Sequence, residues 1–332
     1  MTPLPLIVAV VGILLLTPRG AEAQAQPSVK IPRVGVLRPG HPPPADFGQR
    51  EALERGLREL GWIPGTTILI EYRYAGGNEE RVSELARELV RLPVDVIVAS
   101  APIGVRAAQQ ATREIPIVMS TLPDPVQAGL VTSLARPGGN TTGITLDAEE
   151  LAGKQLELLK EAVPGLTRVG ILRNLASPGW DVGKRHIDTA ARALKLDVQD
   201  FPVRRADDLP AIFAAMSRAR VGGVLVRRDV LVLEPRRMEV VALAAQHRLP
   251  AIYNFRDFPD AGGLMSYGVN VYEVHRRAAT FVDRILRGAR PATLPIEQPT
   301  TFELVVNVKT ASALGLTLPP SFLLRADHVI DR

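Results

Sequence analysis

The run Arg33-Val34-Gly35-Val36-Leu37-Arg38 returns 135 residues later as Arg168-Val169-Gly170-Ile171-Leu172-Arg173. Each is a short apolar segment of branched residues around one glycine, closed by an arginine. That is the pattern of a strand buried on both faces of a parallel sheet. Two further pairs hold nearly the same spacing. Pro116 before a strand returns as Pro250, and Pro125 with Gly129-Leu130 returns as Pro259 with Gly263-Leu264, both at an offset of 134. Three matches in order predict two lobes of like topology. The competing reading is that all parallel strands look alike.

Outward from these anchors, apolar runs alternate with amphipathic ones. Strands are expected at Arg33 to Leu37, Ile68 to Arg73, Val94 to Ser100, Ile115 to Ser120 and Thr141 to Leu146. Helices are expected at Phe47 to Leu60, Glu79 to Arg91 and Ile103 to Thr112. A second series places strands at Arg168 to Arg173, Asp197 to Val203, Gly223 to Arg228, Ala251 to Asn254 and Gly263 to Tyr267, with helices near Pro178 to Leu194, Asp207 to Arg218 and Pro235 to His247. The class is α/β, built as two Rossmann-like lobes with parallel sheets. A helix at Tyr272 to Leu286 and a β-rich stretch at Phe302 to Val308 exceed what the second lobe needs, so some of this chain returns to the first. Several crossings make a hinge, and a cleft between two such sheets is where ligands bind.

Composition excludes much. A chain of 332 residues has room for two domains. It contains no cysteine, which removes disulfides, cysteine metal sites and thiol nucleophiles. Its net charge of +5 is interleaved with acids rather than gathered in runs, so no nucleic-acid partner is expected. Leu4 to Leu16 is an apolar run too short to span a bilayer, followed by small residues at Ala21, Ala23 and Ala25. Residues 1–25 therefore read as a secretory signal cleaved after Ala23 or Ala25. No lysine or arginine precedes the apolar run, and an uncleaved anchor is the alternative.

In open α/β sheets the ligand lies beyond the carboxyl ends of the strands. Here those ends carry Arg38, Ser100-Ala101, Ser120-Thr121 and Asp124, then Arg173-Asn174, Arg228-Asp229 and Asn254-Phe255-Arg256. Ser100-Ala101-Pro102 reads as a hydroxyl cap with proline in the first helical turn, where free amides hold anions. Asp124-Pro125 and Ser177-Pro178 repeat that chemistry, and all three are open to a purely structural reading as caps. Arg38, Arg173, Arg228 and Arg256 cannot all sit in a dry cleft without anionic partners. Asp124, Asp229 and Asp257 neutralise some, and the remainder would grip a carboxylate as a planar fork, with an apolar or aromatic body against Phe255, Tyr253 or Tyr267. The five histidines are scattered, with no pair at metal-binding spacing, and there is no nucleophile elbow, P-loop or dinucleotide fingerprint. No catalytic residue, metal or cofactor is expected. Asn140-Thr141-Thr142 spells a glycosylation sequon but reads better as strand.

The segments Asp95 to Ser100, Ile115 to Val118, Asp124-Pro125-Val126 and Ser133 to Asn140 with Thr142-Gly143, together with Gly262 to Gly268 and Phe302 to Asn307, resemble the ABC transporter substrate-binding proteins of the tryptophan/tyrosine-type group. The resemblance covers Ile31 to Arg332. It implies a type I periplasmic-binding fold with three crossovers, dividing as 31–143 plus 270–296 and 144–269 plus 297–332. It also implies a monomer that takes a small-molecule ligand and delivers it to an ABC permease and its ATPase at the inner membrane. The matching cleft stretches are Arg38 to His41, Ser100-Ala101, Ser120-Thr121, Asp124, Arg173-Asn174, Arg228-Asp229, Asn254 to Arg256 and Tyr267. Many relatives carry an acid where this chain has Phe255, and such an acid would suit an amino group. Its absence favours aromatic or aliphatic carboxylates over a plain amino acid. A secreted hydrolase or ligand sensor using the same cleft is the alternative. Repressors that share these lobes carry a helix-turn-helix ahead of the first strand, where this chain has the signal.

Overall fold

The computed structural model describes residues 30–42, 48–122, 124–146, 151–176, 180–227, 229 and 232–331. Strands β1 (Arg33–Arg38), β2 (Leu69–Tyr74), β3 (Val96–Ser100), β4 (Ile117–Leu122) and β5 (Thr141–Thr145) form one all-parallel sheet in the order β2-β1-β3-β4-β5. Strands β6 (Arg168–Asn174), β7 (Asp197–Val203), β8 (Gly223–Val226), β9 (Ala251–Tyr253) and β10 (Met265–Gly268) repeat that permutation as β7-β6-β8-β9-β10. The two matching runs of the sequence, now β1 and β6, hold the same place in their sheets. The second sheet is extended by β11 (Glu303–Asn307) and β12 (His328–Ile330).

The shared glycine of the two runs has a packing reason. A Cβ on Gly35 would stand 3.0 Å from Leu89 Cδ2, and one on Gly170 would stand 3.3 Å from Phe201 and Val221. At these central positions a covering side chain takes the space next to the strand backbone. Helices α1 (Gln49–Glu59), α2 (Glu79–Arg91) and α3 (Ala101–Ala111) flank the first sheet. The second carries α4 (Leu151–Ala162), α5 (Trp180–Leu194), α6 (Leu209–Arg218), α7 (Arg237–Gln246) and the short α8 (Asp257–Asp260). Separate apolar clusters lie on the two faces of each sheet, around Val36 and Val98 or Leu37 and Ile97 in the first, and around Ile171 and Met265 or Leu172 and Val224 in the second.

Helix α9 (Val271–Leu286) follows β10 of the second sheet yet packs on α1 and on β3, β4 and β5 of the first. The chain then pairs Glu297 with Ile144 beside β5 and returns to the second sheet as β11, ahead of α10 (Val308–Ala313) and α11 (Pro320–Leu323). With the step from β5 to α4, the chain passes between the two layers three times. Because β11 re-enters after α9, it runs antiparallel to β10, which departs from the expected all-parallel second sheet. Helix α4 was not among the expected helices. Its buried Leu151, Leu156 and Leu159 carry helical spacing that the strand-led reading passed over. The signal segment, Ser177-Pro178 and Arg228 lie outside the described residues.

Candidate functional site

Five non-glycine residues among those described have left-handed backbone. Lys195, Arg220 and Arg248 follow α5, α6 and α7, where a left-handed residue is a common helix stop. Ala101 at φ 59° and Thr121 at φ 54° have no such excuse. They sit at the carboxyl ends of β3 and β4, both buried, and a β-branched residue in this region is a real outlier. Strain of this kind persists where the surroundings over-determine it, and it gathers at ligand sites.

Between them, Ser100 and Ser120 are in register across β3 and β4 and their hydroxyls meet at 3.3 Å. Ser100 therefore does not cap α3 with its side chain, contrary to the sequence expectation. The first-turn amides of α3 are not bound by the Ser100 side chain, and Pro102 in that turn carries no N–H. Asp124 is exposed and accepts from the backbone amides of Val126 and Gln127, each at 2.9 Å, so it caps its own turn.

The strand-end arginines separate by partner. Arg38 is 9% exposed; its Nη1 meets His275 Nε2 at 2.7 Å and its Nη2 donates to Gln49 Oε1. His275 Nδ1 lies 2.8 Å from the Val271 carbonyl, which can only accept, so Nδ1 carries the proton and Nε2 accepts from Arg38. Arg173 is held by Asp200 through Nε at 2.9 Å and Nη2 at 2.7 Å, with Trp180 stacked at 4.1 Å. Arg256 donates to Asp260 Oδ2 at 3.2 Å. Asn174 Nδ2 donates to Asp229 Oδ2 at 2.9 Å, and Asp229 Oδ1 accepts from the amides of Val232 and Leu233. Gln49, His275, Asp200, Trp180 and Asp260 were missed as partners. Asp260 is one helical turn on from Arg256, and the others sit on different elements that only the fold brings in.

Around the β9 and β10 ends the site becomes aromatic. Tyr267 is half-buried with its ring 6.1 Å from Phe302, and Phe255 joins the apolar cluster of the first sheet with Val36 and Val271. Tyr253 turns the other way, fully buried and stacked on Phe258 at 4.5 Å, so it cannot line the cleft as expected. Asn254 is 5% exposed and its Oδ1 has no hydrogen-bond partner among the described residues, leaving an acceptor for an N–H or O–H. A Cβ on Gly268 would stand 2.0 Å from the Asn254 carbonyl, so glycine lets the two strand ends close up. Gln155 ties that corner by donating to the Tyr267 carbonyl at 2.7 Å. Asp257, next in the same loop, accepts from the Tyr272 hydroxyl. Burial pushes its carboxyl up to about 6, against the opposing pull of Tyr272 and of Arg237. Among the described residues no group of three or more His, Asp or Glu is placed to hold a metal. The arrangement offers hydroxyls, amides, a guanidinium and aromatic faces for non-covalent capture.

The family profile described as ABC transporter substrate binding protein matches residues 41–330. A tyrosine-binding protein of Clostridioides difficile (strain R20291) is 24% identical over 296 residues, covering 89% of this chain and 84% of that one. A conserved domain protein of Vibrio cholerae superposes with a TM-score of 0.83 at 26% identity, over 90% of this chain and 100% of the other. An ABC domain from Streptococcus pneumonia, solved in complex with L-Trp, superposes with a TM-score of 0.82 at 25% identity, over 90% and 99%.

Proposed function

Because the chain belongs to the ABC transporter substrate-binding protein family, whose members bind solutes rather than turn them over, we propose that it captures a small carboxylate-bearing ligand, aromatic or amino-acid-like, between its two lobes. In this reading the lobes divide as 31–143 plus 270–296 and 144–269 plus 297–332. A chain exported by its N-terminal signal works in the periplasm and hands the ligand to an ABC permease and its ATPase. No helix among the described residues is long and apolar enough to cross a membrane.

The observation that carries the ligand site is the strained pair Ala101 and Thr121 beside Ser100 and Ser120. These strand ends present hydroxyls and the α3 amides to one edge, a setting that suits a carboxylate. Arg38 adds positive charge to that edge, while Arg173 and Arg256 are committed to Asp200 and Asp260. Tyr267, Phe302 and Phe255 suit an apolar or aromatic body, and the unpaired Asn254 Oδ1 would accept a ligand N–H without the acid that is missing at Phe255. The tyrosine-binding relative and the L-Trp complex support the amino-acid-like part of the reading.

Thermal shift at pH 7.5 against L-tyrosine, L-tryptophan, their amine-free acids and aliphatic acids tests it. A binder present at 100 times its Kd raises stability by about 2.7 kcal/mol. Stabilisation by neutral sugars or cations, with none by the acids, overturns the carboxylate reading.

A further inference from the structure

Arg38 ends β1, the first of the two matching strands, and two helices reach its guanidinium. Its Nη2 donates to Oε1 of Gln49, the first residue of α1, and its Nη1 lies 2.7 Å from Nε2 of His275 on α9. Helix α9 starts just after β10 ends, and the Asn270 side chain fixes that start by accepting from the Glu273 amide. His275 sits one turn further on, 1% exposed, with Nδ1 2.8 Å from the Val271 carbonyl.

Those two contacts are met together by one form of the ring. A guanidinium only donates, so Nε2 must be bare, and a carbonyl only accepts, so Nδ1 must carry the proton. His275 in this place is a neutral imidazole whose tautomer is set by its partners. Neutrality distinguishes Arg38 from the other strand-end arginines. Arg173 is set against the carboxylate of Asp200 and Arg256 against that of Asp260, whereas His275 and Gln49 hold the Arg38 Nη groups through neutral acceptors. The donors of a guanidinium lie in one rigid plane, so an acceptor on each Nη fixes how the plane is turned as well as where it stands.

We propose that His275 is a positioning residue for the ligand carboxylate: as a neutral imidazole protonated on Nδ1, it holds the Arg38 guanidinium in the orientation that meets the carboxylate and places no countercharge on it. The inference rests on the reading above, in which a carboxylate binds at the strand-end edge beside Arg38. Phenylalanine fills much the same space without an acceptor, and a buried arginine that loses one of its acceptors turns toward other partners. Glutamine brings a neutral carbonyl close to where Nε2 stands.

The first test is made on the ligand-free protein at pH 7.5. Nitrogen-15 NMR should show one of the five histidines neutral, with its proton on Nδ1 and an accepting Nε2, and that signal should vanish in His275→Gln. Calorimetric titration then uses L-tyrosine, L-tryptophan and the other acids of the thermal-shift panel. His275→Phe should bind the acid that wild type takes up about tenfold more weakly, and His275→Gln within about threefold of wild type. In an Arg38→Ala background, His275→Phe should cost less than about twofold more, since a residue that acts through Arg38 then has nothing to position. Four results would each overturn the role: a His275 ring protonated on Nε2, affinity in His275→Phe within about threefold of wild type, a loss that His275→Gln shares in full, or a loss that adds fully to that of Arg38→Ala. The tautomer is read on wild type, so the idea stays refutable if His275→Phe does not fold. Wild type that binds none of these acids sinks the ligand reading and the positioning role with it, whereas wild type that binds one as tightly as His275→Phe does sinks the positioning role alone.

Discussion

Ala101 shows what a single residue reveals about this site. An L-residue in the left-handed region costs about 1 to 2 kcal/mol, and glycine there costs about 0.5 to 1 kcal/mol in chain entropy. Ala101→Gly should therefore leave stability unchanged or raise it by up to about 1 kcal/mol in urea denaturation, while weakening ligand capture as the strand end loosens. Unchanged affinity would mean that the strain serves folding and not binding. Ala101→Val, branched at Cβ, should lose stability instead. The sequence made the strand-end positions legible, Ala101 and Thr121 included, because polar residues terminate every apolar run. It did not make their partners legible. Arg173 and Asp200 lie on neighbouring parallel strands whose register no local pattern sets, and Arg38 meets His275 only because α9 returns to the first lobe.

Among elements, the α1 and α9 pair matters most to the site, since it ties the start of the returning helix to the end of β1. A Cβ on Gly56 would stand 2.3 Å from the Arg276 carbonyl and 2.9 Å from Ala279 Cβ. Alanine favours a helix over glycine by about 1 kcal/mol, yet here it must push α9 away. Overpacking costs about 1 to 3 kcal/mol, so Gly56→Ala should destabilise despite its better propensity, and chemical denaturation would show a lower midpoint. A gain in stability would mean that the helices separate freely. Strands β1 to β11 and most helices were legible from continuous apolar runs and their spacing, with α2 and β7 at the expected bounds, whereas β12 was not among the expected strands. The antiparallel direction of β11 was not legible, because it is fixed by where the chain re-enters and not by its own residues.

At the scale of the whole molecule, the proposed reading has the protein gain selectivity by enclosing its ligand, with the three crossings as the hinge about which the lobes would close. Enclosure brings the strand ends together, strips water from the ligand's polar groups and strengthens each contact there. Small-angle scattering at pH 7.5 should therefore report a smaller radius of gyration when a ligand found by thermal shift is saturating. A profile unchanged at saturation, with binding established by the thermal shift, would make the cleft rigid.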